Sequence, residues 1–478
     1  MTRALLVALL TLTCIGSAFA QDQKPNVLFI MADDFRFEPS VFPANTLAPN
    51  LHRLASQGVL FERAYCQQAV CNPSRSSMLT GKRPDTLKVW CNSVHFRDQN
   101  PDVTTLPLHF KQNGYVTRDV GKIFHNWHTE VHGDRGSWSA DEFLHYENHG
   151  NDKPQVDGEP PKSKVTANRC ERVDVPDEAY FDGRVAKEAV RVLNEIKDKP
   201  FFLAVGFWKP HAPFNSPDAY WKRTESFVMP ALNPDRPAGA PDVAFHDSRE
   251  ILGIPPKNVT PTANDVENMR RGYYANISYM DTQLGKVLDA LKASGKAEST
   301  IIVFCGDHGY HIGEHGLWGK TSCFEYDAQV PLIISTPKLA TAGRSTKALA
   351  ELVDLFPTLI DLCHLPAVKG LEGKSLAPVL KDPSQSVKPA AFTQHPRPSY
   401  YDRTPSGQPE HMGYSIRTPE VRYTEWRDWK TGKVVARELY DTERDRAELK
   451  NLADSKPASE SLKKAEQLLQ KQFPATGH

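Results

Sequence analysis

The 478 residues balance 58 lysines and arginines against 58 aspartates and glutamates, and 40% of the side chains are hydrophobic. A chain of zero formal charge has no bulk electrostatic reason to bind nucleic acid or an anionic membrane, so an anionic substrate must be drawn in by a local cationic pocket. The 37 prolines exclude a long coiled coil and imply many loops.

Arg3 precedes the apolar run Ala4 to Leu12, and Ala18-Phe19-Ala20 reads as a small-x-small cleavage signal before Gln21. Residues 1–20 are therefore expected to be a signal peptide, and the mature chain a soluble protein that is secreted or periplasmic. The run is too short to span a bilayer, and no later stretch is long and apolar enough. Thr13 before Cys14, with Thr11 at minus three, makes a poor lipobox. Eight cysteines leave seven after removal of the signal, and an odd number in an exported protein invites a special explanation. Chemical conversion of Cys71 would leave six: Cys66, Cys91, Cys170, Cys305, Cys323 and Cys363.

Along the mature chain, strand, loop and helix recur without internal repeats. Asn26 to Met31 is a continuous apolar run, as expected of a strand buried on both faces. A helix starts near Pro49 and stops at Gly58. Asp182 opens a pattern in which Val185, Ala186, Ala189, Val190, Leu193 and Ile196 recur at helical spacing. Pro200 ends it, and Phe201 to Phe207 reads as the next buried strand. Tyr273, Ile277, Met280, Leu284, Val287, Leu288 and Leu291 define a second long helix closing at Gly295. Strands follow at Thr300 to Cys305 and Val330 to Thr336. This alternation predicts an α/β fold with a large, mostly parallel sheet between helices, spanning residues 21–380. Residues 381–478 differ: short apolar segments near prolines suit a small antiparallel sheet, and residues 461–472 a terminal amphipathic helix. The loop-rich stretch 126–177 is expected to be an insertion over one end of the sheet.

Ligands of open α/β sheets bind beyond the carboxyl ends of the strands. Four of the five clearest strands here end in polar residues. Asp33-Asp34 follows Met31, Gly121-Lys122-Ile123-Phe124-His125 follows Tyr115 to Val120, Lys209-Pro210-His211 follows Phe207, and Gly306-Asp307-His308-Gly309 follows Cys305. The strand that begins at Val330 has no such ending. Adjacent carboxylates after a buried strand need neutralising, and a divalent cation does so with oxygen ligands that favour calcium or magnesium over zinc. The other reading of Asp33-Asp34 is a helix cap plus a solvated acid. Lys122, His125, His211 and Lys320 form a cationic set suited to a tetrahedral oxyanion and to protonation of a leaving alcohol. Zinc is the competing metal, through His308, His311 and His315 or His125, His128 and His132, but neither group matches His-Glu-x-x-His or has a cysteine pair at finger spacing.

Cys71-Asn72-Pro73-Ser74-Arg75, continued by Ser76-Ser77-Met78-Leu79-Thr80-Gly81, resembles the signature of the type I sulfatases, Cys-x-Pro-Ser-Arg with its Leu-Thr-Gly extension. The likeness covers nearly the whole mature chain, through the four strand-end segments, Val353 to Thr358, and Glu438-Leu439-Tyr440-Asp441 with Asn451-Leu452. The segments Gly313 to Lys320, Gln394 to Pro398, and Met412 to Thr418 with Arg422-Tyr423-Thr424 resemble the iduronate-2-sulfatase subgroup. Thr321 to Glu325 departs from the animal members of that subgroup.

The resemblance implies an alkaline-phosphatase-like fold and a sulfatase acting on a sulfated polysaccharide or oligosaccharide, with 2-O-sulfated uronic acid first among substrates. It implies that a separate maturation enzyme oxidises Cys71 to formylglycine. Calcium would be held by Asp33, Asp34, Asp307 and His308, with modified Cys71 supplying another oxygen; histidine is an unusual calcium ligand, so His308 is also read as a contact to sulfate or to Asp307. Arg75 and Lys122 would stabilise the hydrated aldehyde, and His125 would take its proton. Asp307 would be the base for the attacking hydroxyl, while His211 and Lys320 face the sulfate, His211 as leaving-group acid. Arg397, Arg417 and His95 are candidates to hold a sugar carboxylate, against ordinary structural roles. Other readings are a sulfatase of another glycan such as an algal polysaccharide, a phosphatase or phosphonate ester hydrolase on the same fold, and a carbohydrate-binding protein that has lost catalysis.

Overall fold

A computed structural model of the chain describes residues 24–42, 47–125, 133–143, 168–246, 250–254, 256, 259–454, 460–475 and 477. The signal-peptide segment, His128, His132 and most of the loop-rich stretch 126–177 lie outside these residues.

Seven strands form the main sheet: β1 (Asn26–Asp33), β2 (Val59–Tyr65), β3 (Val116–Gly121), β5 (Phe201–Pro210), β7 (Thr300–Gly306), β10 (Gln329–Ser335) and β11 (Arg344–Glu351). Two short pairs, β4 (Cys170–Val173) with β6 (Phe214–Pro217) and β8 (His311–Ile312) with β9 (Trp318–Gly319), lie in the connections. The order is β11-β2-β10-β7-β1-β5-β3. All neighbours run parallel except β10, which is antiparallel to both β2 and β7. This explains why the strand beginning at Val330 ends without reactive residues. Its carboxyl end lies at the opposite edge, and it is Asp327, just before β10, that lies at the end where the other strands finish.

The central strand β1 is buried along its whole length. Successive side chains of a strand point to opposite faces. Accordingly, Leu28, Ile30 and Ala32 pack with Val185, Leu193, Ile277 and Leu284, whereas Val27, Phe29 and Met31 pack with Met78, Leu79, Phe110 and Phe356. Helices Phe181–Ile196 and Ala263–Ala293 cover the first face, and helices Cys71–Thr80 and Leu355–Leu362 the second. At roughly 1.5–3 kcal/mol for each large apolar side chain fully buried, the two layers fix the sheet between them.

A second sheet of four antiparallel strands, β12 (Ala391–Arg397), β13 (His411–Arg417), β14 (Val421–Asp428) and β15 (Val434–Asp441), is backed by helix Glu460–Gln472 through Leu462, Ala465 and Leu469. It is stitched to the main body where Gln394 N donates to Gln67 O (2.9 Å) and Thr393 Oγ1 to Cys66 O (2.6 Å). In the loop-rich stretch, residues 133–143 run along the edge strand β3, with Gly121 N donating to Phe143 O at 3.0 Å and Ser139 N to Thr117 O at 2.8 Å.

Candidate active site

The parallel register delivers the first acids. Ala32 pairs with Gly306 across β1 and β7, so Asp33-Asp34 and Asp307 leave the sheet side by side. The register with β5 shifts between Ala32 and Asp33, and Asp34 takes a left-handed backbone (φ 60°). That unusual conformation for a non-glycine residue is held from outside, since Asp34 N donates to Asp307 Oδ1 at 3.1 Å and Tyr273 Oη donates to Asp34 O at 2.8 Å.

Cys71 opens the ten-residue helix Cys71–Thr80, every residue of which is buried. Three of its polar side chains are satisfied locally: Asn72 Nδ2 donates to Cys91 O and Val94 O, Ser76 Oγ to Asn72 Oδ1, and Thr80 Oγ1 to Ser76 O. Met78 and Leu79 anchor the far end in the core. Gly81 closes the helix at φ 67°, and a Cβ there would stand 2.5 Å from Leu371 Cδ2. The Leu-Thr-Gly extension of the motif therefore seats and ends the helix whose first residue is Cys71.

Around Cys71 the charges interlock. Its Sγ lies 3.5 Å from Asp33 Oδ1, 3.5 Å from Lys122 Nζ and 3.3 Å from His308 Nε2. Lys122 also donates to Asp33 Oδ2. Arg75, one helical turn from Cys71, donates through Nε to Asp307 Oδ2 (2.8 Å) and through Nη1 to Lys122 O (2.5 Å) and Ile123 O (3.1 Å). Ser74 Oγ donates to Asp307 O at 2.5 Å. Lys320 Nζ donates to Asp34 Oδ1 at 2.9 Å. His308 Nδ1 faces Gly309 O at 3.0 Å; a carbonyl only accepts, so Nδ1 carries the proton and Nε2 turns its lone pair towards residue 71.

The electrostatics follow from burial. It acts to raise Asp33 and Asp34 alike, but Lys122, His211 and Arg75 together hold Asp33 well below the usual carboxylate range. Asp34 stays well above it, because burial outweighs Lys320 and because Glu250 and Asp33 add repulsion. Burial, with Asp33 beside it, pushes the Cys71 thiol up to about 12. As a plain thiol this residue is protonated at neutral pH and is no nucleophile.

The fit to a divalent cation can be judged on these atoms. Asp33, Asp34, Cys71 and His308 offer ligand atoms that all lie within 4.8 Å of one another. Asp34 Oδ2 is buried and receives no hydrogen bond. A cation beside it would supply the missing partner and remove the force that raises its pKa, and the carboxylate-rich donor set suits a hard ion. Asp307 stands next to this group, with Oδ1 engaged by the backbone N–H groups of Asp34 and His308 and Oδ2 by Arg75.

On the open side, His211 Nε2 lies 3.7 Å from Asp34 Oδ2, and its Nδ1 donates to Ala212 O at 2.5 Å. His125 is buried just past β3. The structure adds Glu250, whose Oε1 accepts from Lys320 Nζ at 2.8 Å and lies 3.3 Å from His211 Nε2. No motif surrounds Glu250, and only its spatial contacts reveal it.

Three sequence-level candidates are corrected. Arg397 is buried, donates to the carbonyls of Val243, Ala244 and Thr321, and lies over the Trp426 ring at 4.7 Å. Arg417 is buried beside Glu325 (3.4 Å) and donates to Thr418 O. His95 caps helix Phe96–Gln99, and its Nε2 meets Gly133 O at 3.0 Å. All three hold backbone or neighbouring side chains in place, which is their structural reading. The zinc alternative through His308, His311 and His315 also dissolves: His311 bonds Asp327 (2.7 Å) and His315 (3.3 Å), and His315 Nε2 meets Ala447 O, while His308 points to Cys71. All seven cysteines after residue 23 are unpaired, so their odd number carries no argument about Cys71.

The sheet, its strand-end acids and the buried Cys71 helix define an alkaline-phosphatase-like hydrolase. The sulfatase family profile matches residues 25–365, and a profile described as the C-terminal region of N-sulphoglucosamine sulphohydrolase matches residues 313–474. Iduronate 2-sulfatase of Mus musculus is 36% identical over 482 residues, covering 86% of each chain. A solved structure described as a complex with D-glucosamine-2-N,6-O-disulfate superposes with a TM-score of 0.75 at 22% identity, covering 95% of this chain and 98% of that one. A phosphonate monoester hydrolase of Agrobacterium radiobacter gives 0.71 at 24% identity, covering 94% and 96%. This chain belongs to the type I sulfatase family and is a sulfuric ester hydrolase.

Replacing Arg75 by Leu leaves Asp33 and Asp307 buried without their guanidinium. Breaking such a pair is expected to cost about 3–5 kcal/mol of stability, read as a lowered midpoint in denaturant; a midpoint within error of wild type would show that Arg75 is not the counter-charge described here.

Proposed function

We propose that the protein removes the 2-O-sulfate of a uronic acid in a polysaccharide fragment, using formylglycine at position 71 and calcium. The observation that carries this reading is the state of Cys71: it heads a buried helix among Asp33, Lys122 and His308, yet its thiol is pushed up to about 12. Conversion by a maturation enzyme to a hydrated aldehyde would supply one hydroxyl to attack sulfur and a second whose deprotonation expels sulfate. Asp33, Asp34 and residue 71 would hold calcium beside His308, and the ion would supply positive charge to the sulfate oxygens. The choice of sugar is supported by the identity to iduronate 2-sulfatase.

The chain's own residues divide the remaining work. Arg75 and Lys122 fix the first acids and the position of residue 71. Asp307, held by three donors, is the base for the attacking hydroxyl, and His125 takes the proton in the elimination. Lys320 binds a sulfate oxygen with the N–H that Asp34 and Glu250 leave over. His211 protonates the leaving oxygen: its Nδ1–H is fixed on Ala212 O and its Nε2 faces the carboxylates of Glu250 and Asp34. Burial and Lys320 hold His211 below the usual imidazole range while Asp33 and Glu250 pull it up, so its proton is given up readily. Counting Glu250, four carboxylates stand against the three cations Arg75, Lys122 and Lys320; a divalent cation and a singly charged sulfate ester together bring the site to neutrality.

No helix among the described residues is long and apolar enough to cross a membrane. With the signal-like residues 1–20, this supports export to the periplasm or medium.

Exported protein, shown by peptide mass to begin at Gln21 and to carry the aldehyde at position 71, should release sulfate from 2-O-sulfated uronates and not from 6-O-sulfated hexosamines. The opposite preference would overturn the choice of substrate. Cys71→Ser should bind substrate and complete at most one slow turnover, because a serine sulfate ester has no second hydroxyl to expel it; sustained release would end the formylglycine mechanism. Chelation should abolish turnover and lower the melting temperature by a few degrees, since an ion at about 100 times its Kd contributes about 2.7 kcal/mol. Calcium should restore both, and full activity of chelated protein would exclude the ion.

A further inference from the structure

Glu250 precedes the short 3-10 turn Ile251–Gly253 at the mouth of the site. Arg169, itself 5% exposed, ties this turn to the body, donating to Ile254 O (3.1 Å), Leu252 O (3.0 Å) and Pro256 O (2.6 Å). The carboxylate is thus delivered by a braced turn. Its Oε1 is taken by Lys320 at 2.8 Å and faces His211 Nε2 at 3.3 Å. Its Oε2 is shielded from solvent and accepts no hydrogen bond. A shielded carboxylate oxygen without a donor is unfavourable and calls for one. Asp34, His211 and Glu250 also have ligand atoms within 4.8 Å of one another, but the Lys320 ammonium already bridges Asp34 and Glu250, so a second cation is not needed to neutralise them.

We propose that Glu250 determines specificity: while Oε1 steadies Lys320 and His211, Oε2 accepts a hydrogen bond from the ring hydroxyl next to the sulfated carbon. The inference rests on the sulfatase reading above, in which Lys320 and His211 meet the ester. The two oxygens of a carboxylate share one carbon, so a turn of the carboxyl group as the ester engages Lys320 and His211 would bring the shielded Oε2 to the substituent on the neighbouring ring carbon. A hydroxyl there supplies the missing donor. A second sulfate there meets a fixed negative charge held in place by Lys320 and Arg169. The site therefore selects sugars whose sulfated carbon is flanked by a free hydroxyl and rejects vicinal disulfates.

The test compares full-length converted enzyme with Glu250→Ala and Glu250→Gln on three probes: a 2-O-sulfated uronide, its 3-deoxy counterpart and its 2,3-di-O-sulfated counterpart. Wild type should favour the hydroxyl over the deoxy sugar by about 10–100-fold in kcat/KM. Glu250→Ala should bring that ratio close to unity, and Glu250→Gln, whose amide oxygen still accepts, should keep part of it. Both variants should raise the disulfate rate relative to the monosulfate by about 10-fold. Each ratio compares two substrates on one protein, so partial loss of folded enzyme cancels, and a structural role alone would lower all rates together. An unchanged hydroxyl-to-deoxy ratio in Glu250→Ala overturns the inference and leaves the sulfatase reading standing. Absence of sulfate release from the 2-O-sulfated uronide by converted wild type removes the choice of substrate and the inference with it.

Discussion

Three carboxylates, those of Asp33, Asp34 and Asp307, leave the carboxyl ends of two neighbouring strands without any exposure to solvent. Leaving such charges alone in protein is prohibitive, and the structure around them is organised by the groups that neutralise them. Arg75 comes from the helix that Cys71 opens, Lys122 from the end of β3, and Lys320 from the loop after β9. Each reaches the acids from a different direction, and removing one leaves a specific carboxylate uncompensated. Asp34, which burial holds well above the usual carboxylate range, belongs to the candidate metal group and keeps one oxygen without a hydrogen bond.

This constraint explains features of the frame that have no other evident purpose. The register shift after Ala32 and the left-handed Asp34 are held by Asp307 and Tyr273, which lie on other elements. The segment from Asp307 to Lys320 is braced by buried Arg36, which pairs with Glu314 at 3.1 Å and donates to Tyr310 O at 3.3 Å while Glu38 holds the guanidinium at 2.8 Å. Beyond it, Asp327 bonds both His311 and Ser322. These groups touch no reacting atom. They fix the loop that brings Lys320 to Asp34.

Around Cys71 the charged groups interlock and are buried, with Asp34 Oδ2 and Arg75 Nη2 among the atoms left without a hydrogen bond. Around Glu250 one carboxylate oxygen has been left without a donor, and His211 and Lys320 share the other. Arg397, Arg417 and His95, which carry charge or hydrogen-bonding capacity near conspicuous sequence segments, are spent on backbone carbonyls, Glu325 and a helix cap. Beside His211 and Lys320 the structure instead places Glu250, an acid that no sequence motif announces.

How much of this was legible in the sequence varies by level. Buried strands such as Asn26–Asp33 and Phe201–Pro210 announce themselves because both faces are apolar, and helix Phe181–Ile196 because its apolar positions recur at three and four. Cys71 to Gly81 is readable because Cys71, Arg75 and the helix stop at Gly81 sit at fixed spacing on one element. The strand-end polar residues follow from the same logic, since a strand ends where its side chains cease to be core. The direction of β10 was not readable, because an apolar run looks alike in either orientation and only its neighbours' hydrogen bonds decide. Nor was the role of Glu250, whose partners lie 39 and 70 positions away on other elements. The sequence by itself determined the class of fold and the family motif from Cys71 to Gly81, because those depend on local periodicity and on short-range spacing. Only the tertiary structure decided which charges compensate which, which arginines are structural and which further carboxylate stands beside Lys320 and His211, because long-range pairing of buried charge depends on which chain segments are brought together.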